Sequence, residues 1–137
     1  MKTIFSRSLV LGAALLLSLP LRADPALVGN PAFKGQSLDA DAIKAVLLGK
    51  KVTLGDTRVV IVIAKSGDAQ EQFLQQAVGM TTSQFQTHWR RLFMTGGGSA
   101  PKIVETEADA RKLAAETPGA IAIASQADAG LVTLATK

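Results

Sequence analysis

Cysteine is absent from this 137-residue chain, tyrosine is absent too, and histidine and tryptophan occur once each. Without cysteine there are no disulfides, no thiolate-bound zinc and no thiol nucleophile. A lipid-modified cysteine at a processed N-terminus is excluded for the same reason. The single histidine, His88, rules out a multi-histidine metal site within one chain, so neither a metal nor a cofactor is implied. Aromatic residues make up 4% of the chain, and the basic cluster among them, Arg90-Arg91, is short. Nucleic acid is therefore not an expected partner, because its recognition calls for a basic stripe with stacking aromatics.

Long apolar runs are also missing. The longest, Leu9 to Leu19, is about half of the roughly 20 residues that span a bilayer. It follows Lys2 and Arg7 and precedes Pro20-Leu21-Arg22-Ala23, the three-part layout of a secretory leader. Cleavage after Ala23 is expected, leaving residues 24–137 exported to the periplasm without a stable membrane anchor. The formal net charge of +4 and the pI of 9.7 belong largely to the precursor. Lys2, Arg7 and Arg22 would leave with the leader and no acidic residue would, so the remainder is close to neutral.

Residues 24–137 suit one domain with one core. Ala26-Leu27-Val28 reads as a strand stopped by Gly29-Asn30-Pro31. Ser37 to Leu48 places Leu38, Ile43, Val46 and Leu47 on one helical face, with Asp39 and Asp41 near its start and Gly49 as its stop. Val59 to Ile63 is β-branched without polar alternation, as expected of a strand covered on both faces. A second helix is predicted from near Ser66–Asp68 to Val78, with Phe73, Leu74 and Ala77 inward. A third starts at Thr82 or Ser83 and carries Phe85, Trp89 and Leu92 at helical spacing. Thr106 and Asp109 have the spacing of a helix cap, and the fourth helix carries Ala110, Leu113 and Ala114. Ala120 to Ala124 is predicted as another buried strand, and Leu131 to Leu134 as a last, edge strand. Thr95 to Pro101 reads as a flexible connection. This alternation of strands and helices argues for an α/β layer with helices packed on a central sheet.

Several phrases resemble the periplasmic phosphate-binding proteins of ABC transporters, and specifically one of their lobes. They are Asn30-Pro31 after the first strand, Leu47-Leu48-Gly49-Lys50 after the first helix, and Lys65-Ser66-Gly67-Asp68 before a helix containing Phe73. Val78-Gly79-Met80-Thr81 before a helix with Trp89, Met94-Thr95-Gly96-Gly97-Gly98, and Thr117-Pro118-Gly119-Ala120-Ile121-Ala122-Ile123 complete the set. The resemblance implies a single lobe of that kind, a mixed central sheet flanked by helices. It also implies an exported solute-binding module holding phosphate or a related oxyanion at a helix N-terminus formed by Lys65, Ser66, Gly67 and Asp68.

Two departures bear on function. Members of the family close two lobes around the anion, and this chain has length for one, so a homodimer, a second-lobe protein, or a transport or sensor partner would complete the cleft. In the loop, Lys65-Ser66-Gly67 offers a cation, a hydroxyl and open backbone beside unpaired amides. Asp68 places an anion among them, and the loop is about one residue shorter than in the family. Two readings stay open: a working anion site, or a helix start that Asp68 caps for itself. The alternative function is accordingly a degenerate, non-binding lobe used as a protein-interaction or sensory accessory.

The remaining polar and aromatic groups read structurally. His88 is expected on a helix surface or interface, Phe85, Trp89 and Phe93 in the core, and Arg90-Arg91 on a solvated face. Glu105, Glu107 and Asp109 complement a helix dipole. No catalytic residue is assigned and no enzyme activity is expected, because the only histidine has no nucleophile motif near it.

Overall fold

A computed structural model describes residues 25–96, 100–125 and 130–136. The leader assigned to residues 1–23 and the glycines at 97 and 98 lie outside the described residues. Strand β1 (Ala26–Gly29) runs into a short 3-10 turn at Pro31–Phe33 and helix α1 (Ala40–Leu47). A two-residue-stranded hairpin, β2 (Thr53–Leu54) and β3 (Thr57–Arg58), precedes β4 (Val60–Ala64). Helices α2 (Asp68–Val78) and α3 (Thr82–Met94) follow. The chain continues through β5 (Lys102–Val104), α4 (Glu107–Glu116), β6 (Ala120–Ala124) and β7 (Val132–Thr136).

Five strands form one mixed sheet in the order β5-β4-β6-β1-β7. Strand β4 is parallel to both β5 and β6, whereas β1 runs antiparallel between β6 and β7. The expected α/β sheet flanked by helices is thus observed, with β7 at an edge as its sequence suggested.

Alternation in side-chain size, not polarity, builds the two faces. Strand β6 reads Ala-Ile-Ala-Ile-Ala and is buried throughout. Ile121 and Ile123 join Leu27, Ile61 and Ile63 against Phe73, Leu74, Phe85 and Trp89 of α2 and α3. Ala120, Ala122 and Ala124 face the other way with Val28 and Val62, meeting Ala110 and Ala114 of α4. Small residues on both partners let α4 lie close to the sheet, while each buried isoleucine contributes about 1.5–3 kcal/mol of burial on the thicker side. Because strand side chains alternate strictly, a one-residue slip of β6 would put isoleucine against α4 and open voids among the aromatics.

Caps and turns fix the element ends. Asp39 accepts a hydrogen bond from the Ala42 amide (2.8 Å), so α1 begins at Ala40, three residues later than the apolar pattern from Ser37 suggested. Thr81 and Gln84 form a reciprocal capping box at α3. Thr106 Oγ1 accepts from the Asp109 amide at α4 (3.1 Å). Asn30 is buried and reaches across the fold: its Nδ2 donates to the Ala114 and Ala115 carbonyls (3.0 and 3.1 Å), and its Oδ1 accepts from the Ala32 amide (2.8 Å). It therefore ties the first turn to the last turn of α4, where carbonyls lack helical partners.

One expectation is corrected, and two elements are found that the sequence reading did not contain. Phe93 is 56% exposed rather than part of the core, because the inward face of α3 is taken by Phe85 and Trp89. The β2–β3 hairpin was not anticipated, although Gly55-Asp56 between two short runs is a hairpin signal. Strand β5 is a further element without a sequence signal, since two of its three residues, Lys102 and Ile103, are exposed and give no burial pattern.

Candidate functional site

Parallel strands β4, β5 and β6 all end at the same edge of the sheet, and their following loops meet there. In open α/β sheets this carboxyl edge is where ligands bind. The loop after β4 holds Lys65, Ser66 and Gly67 and leads directly into α2 at Asp68. Lys65, Ser66 and Asp68 are exposed and Gly67 is half-buried, so the structure brings all four sequence-selected residues to one accessible corner.

Gly67 is the N-cap of α2 and no side chain caps that end. Asp68 is the first helical residue, not the cap, so the self-capped reading of this loop is not realised. Helices α1, α3 and α4 each have a side-chain cap; α2 does not. Its first amides are therefore free to meet an external acceptor, with the positive end of the helix dipole behind them. Opposing this, Asp68 and Glu71 place carboxylates in the first turn.

Lys65 does not stand alone as a cation. Its Nζ lies 2.7 Å from Glu105 Oε2 at the end of β5, with both side chains more than half exposed, 60% and 71%. A pair this open to solvent is worth little, typically under about 1 kcal/mol, and Lys65 can exchange Glu105 for a ligand at small cost. Glu107 at the start of α4 accepts from Ser125 N (2.9 Å) and Ser125 Oγ (2.8 Å) after β6, and lies 3.6 Å from Arg111 Nη1. Glu107 thus fastens α4 to the β6 loop rather than only complementing the dipole.

Behind the loop sits a polar residue that sequence reasoning missed. Gln70 is 4% exposed. Its Oε1 accepts from the Ala64 amide (2.9 Å), and its Nε2 donates to the Ala64 carbonyl (2.8 Å) and to Thr82 Oγ1 (3.1 Å). Glu71 Oε1 accepts from the Thr82 amide (3.0 Å). These bonds lock the end of β4, the first turn of α2 and the start of α3 together, and so set the shape of the Lys65–Asp68 loop. Nothing local in the sequence marks Gln70, since glutamine is ordinary in a helix; only the tertiary position of Ala64 makes it a clamp.

His88 is half-buried and its Nε2 lies 3.1 Å from the Leu48 carbonyl, while Trp89 Nε1 donates to the Leu47 carbonyl (2.9 Å). Both side chains close the C-terminal end of α1 rather than a reaction centre. Among the described residues no three histidine, aspartate or glutamate side chains gather as a metal site, and no helix is long and apolar enough to cross a membrane.

The fold is that of part of a substrate-binding protein of the periplasmic type: a mixed five-stranded sheet with helices on both faces. Solved structures share it, among them the following two. An ABC-type phosphate transport receptor from Vibrio cholerae superposes with a TM-score of 0.58 at 12% identity, covering 81% of this chain and 45% of that one. A putative phosphate ABC transporter substrate-binding protein with bound phosphate from Clostridium perfringens gives 0.61 at 17% identity, covering 81% and 44%. The chain therefore spans less than half the length of either neighbour, the share expected of one lobe. No protein-family model matches the chain, and no curated protein matches it.

Proposed function

We propose that this chain is an exported solute-binding lobe that holds phosphate or a related oxyanion at the N-terminus of α2, through the amides after Gly67, the Ser66 hydroxyl and the Lys65 ammonium. The observation that carries this reading is the uncapped, accessible start of α2 at the carboxyl edge of the parallel strands. The fold supports it, because one neighbour of this shape is a phosphate transport receptor and the other a putative phosphate transporter substrate-binding protein with bound phosphate. A second copy or a separate second-lobe protein of the transport or sensory system supplies the opposite wall of the cleft.

Thermal unfolding with and without millimolar phosphate tests the site. Phosphate at about 100 times its dissociation constant adds roughly 2.7 kcal/mol, a shift on the order of 10 °C for a domain of this size. Asp68→Thr removes a carboxylate beside the ligand without removing a cap, so affinity is expected to rise by roughly tenfold. Silence of both proteins toward phosphate and sulfate would sink the site. Binding by the variant alone would mark the natural chain as the non-binding, interaction-type lobe.

Export is proposed on the leader at residues 1–23. The protein recovered from the periplasmic fraction should begin at Asp24 by mass; recovery only from the cytoplasm with residues 1–23 attached would refute it.

A further inference from the structure

At the opposite end of β4 from the Lys65–Asp68 loop, roughly 16 Å away at about 3.3 Å per strand residue, lies a concave pocket of about 190 Å³. Three cations border it from three separate elements: Lys51 after α1, Arg58 in β3 and Lys102 at the start of β5. Val52, Val59 and Trp89 supply apolar walls, and among the described residues no acidic one lines it.

The convergence is built by the fold. Lys50 and Lys51 amides both donate to the Ala45 carbonyl (2.8 and 3.0 Å), which holds this segment against the end of α1. The Val59 amide donates to the Val52 carbonyl (2.9 Å), which draws the hairpin over the same corner. Parallel pairing of Val62 with Lys102 then brings the start of β5 alongside. Among the described residues none of the three cations forms an ion pair. Like charges held together repel, and a bound anion relieves that repulsion while gaining from all three.

We propose that this pocket binds a small, multiply charged organic oxyanion of the polycarboxylate or phosphate-ester kind. Its charged groups meet Lys51, Arg58 and Lys102, and its short carbon stem rests on Val52, Val59 and the Trp89 ring. The volume lies below the roughly 300–1,000 Å³ of pockets for drug-sized ligands, so a compact anion fits and a nucleotide cofactor does not. Three cations favour a di- or trianion over a monoanion. The site is separate from the α2 N-terminus and stands or falls independently of it.

Trp89 borders the pocket and is the only tryptophan in the chain, so its fluorescence reports on occupancy without labels. Titration of the purified protein with citrate and with glycerol phosphate, at constant ionic strength, should give a saturable change for at least one of them and none for acetate. The two probes separate the carboxylate from the phosphate-ester source. Lys51→Ala, Arg58→Ala and Lys102→Ala should each weaken binding by roughly 2- to 5-fold, the effect of one exposed charge pair, and the triple variant should abolish it. All three side chains are exposed, so the fold should tolerate their loss, and the single variants carry the test if the triple one does not fold. Ser66→Ala should leave this binding unchanged while weakening any phosphate binding at α2. The proposal is overturned by the absence of a saturable signal up to concentrations on the order of 10 mM, by an equal response to chloride, or by unchanged affinity in all three single variants.

Discussion

Gly119→Ala is expected to destabilise the protein by about 2–5 kcal/mol, enough to remove much of the stability of a domain this size. Gly119 has φ +86°, a left-handed conformation that costs any residue with a Cβ. The added carbon would also fall far inside van der Waals contact with the Arg58 carbonyl oxygen and reach 3.3 Å from Thr57 Cγ2. Backbone cannot rotate away as a side chain can, and here it is anchored: the Val60 amide donates to the Gly119 carbonyl (2.8 Å) and starts the β4–β6 pairing. Gly79→Ala is the comparison, because Gly79 has φ +70° with nothing within 4 Å of an added Cβ. It should lose only the conformational part, about 1 kcal/mol. Chemical denaturation of both variants decides the matter, and equal losses would show that the close approach at Arg58 carries no weight.

Gln70→Ala should cost about 2–4 kcal/mol. It strands the Ala64 amide and carbonyl and the Thr82 hydroxyl in a buried position, and desolvation without a partner costs about 1–3 kcal/mol for each group left unsatisfied, partly recovered by relaxation. Gln75→Ala on the exposed face of the same helix should stay within about 0.5 kcal/mol. Amide hydrogen exchange adds a readout specific to the clamp: protection at Ala64 should fall in Gln70→Ala before protection in the β1–β6 ladder does. If Ala64 stays as protected as in the parent, the clamp does not hold the loop, and the shape of the candidate site must be set elsewhere.

Much of the candidate site was legible because it follows a local pattern. A β-branched strand, a Ser-Gly turn and an amphipathic helix in succession place Lys65 to Asp68 at a helix start wherever the sheet lies. What these residues meet there was not legible. Glu105 reaches Lys65 across 40 positions of sequence, and Glu107 reaches Ser125 across 18, through pairings of β4, β5 and β6 that no window of sequence contains. Asp68 was expected to compete for the role of cap, yet Gly67 takes the cap position and leaves the carboxylate in the first turn. Phe93 illustrates the converse: its helical register is plain, but its exposure depends on α3 being covered only along the Phe85–Trp89 side.

By itself, then, the sequence determined the four helices and the buried strands, since periodicity, caps at Asp39, Thr81 and Thr106, and the Ala-Ile alternation of β6 act over a few residues of backbone. Only the tertiary structure decided the order of strands, the burial of Gln70, and the meeting of Lys51, Arg58 and Lys102 around one pocket. Charges and polar groups act through space rather than along the chain, so what they can bind is settled once the sheet has brought distant segments within a few ångströms.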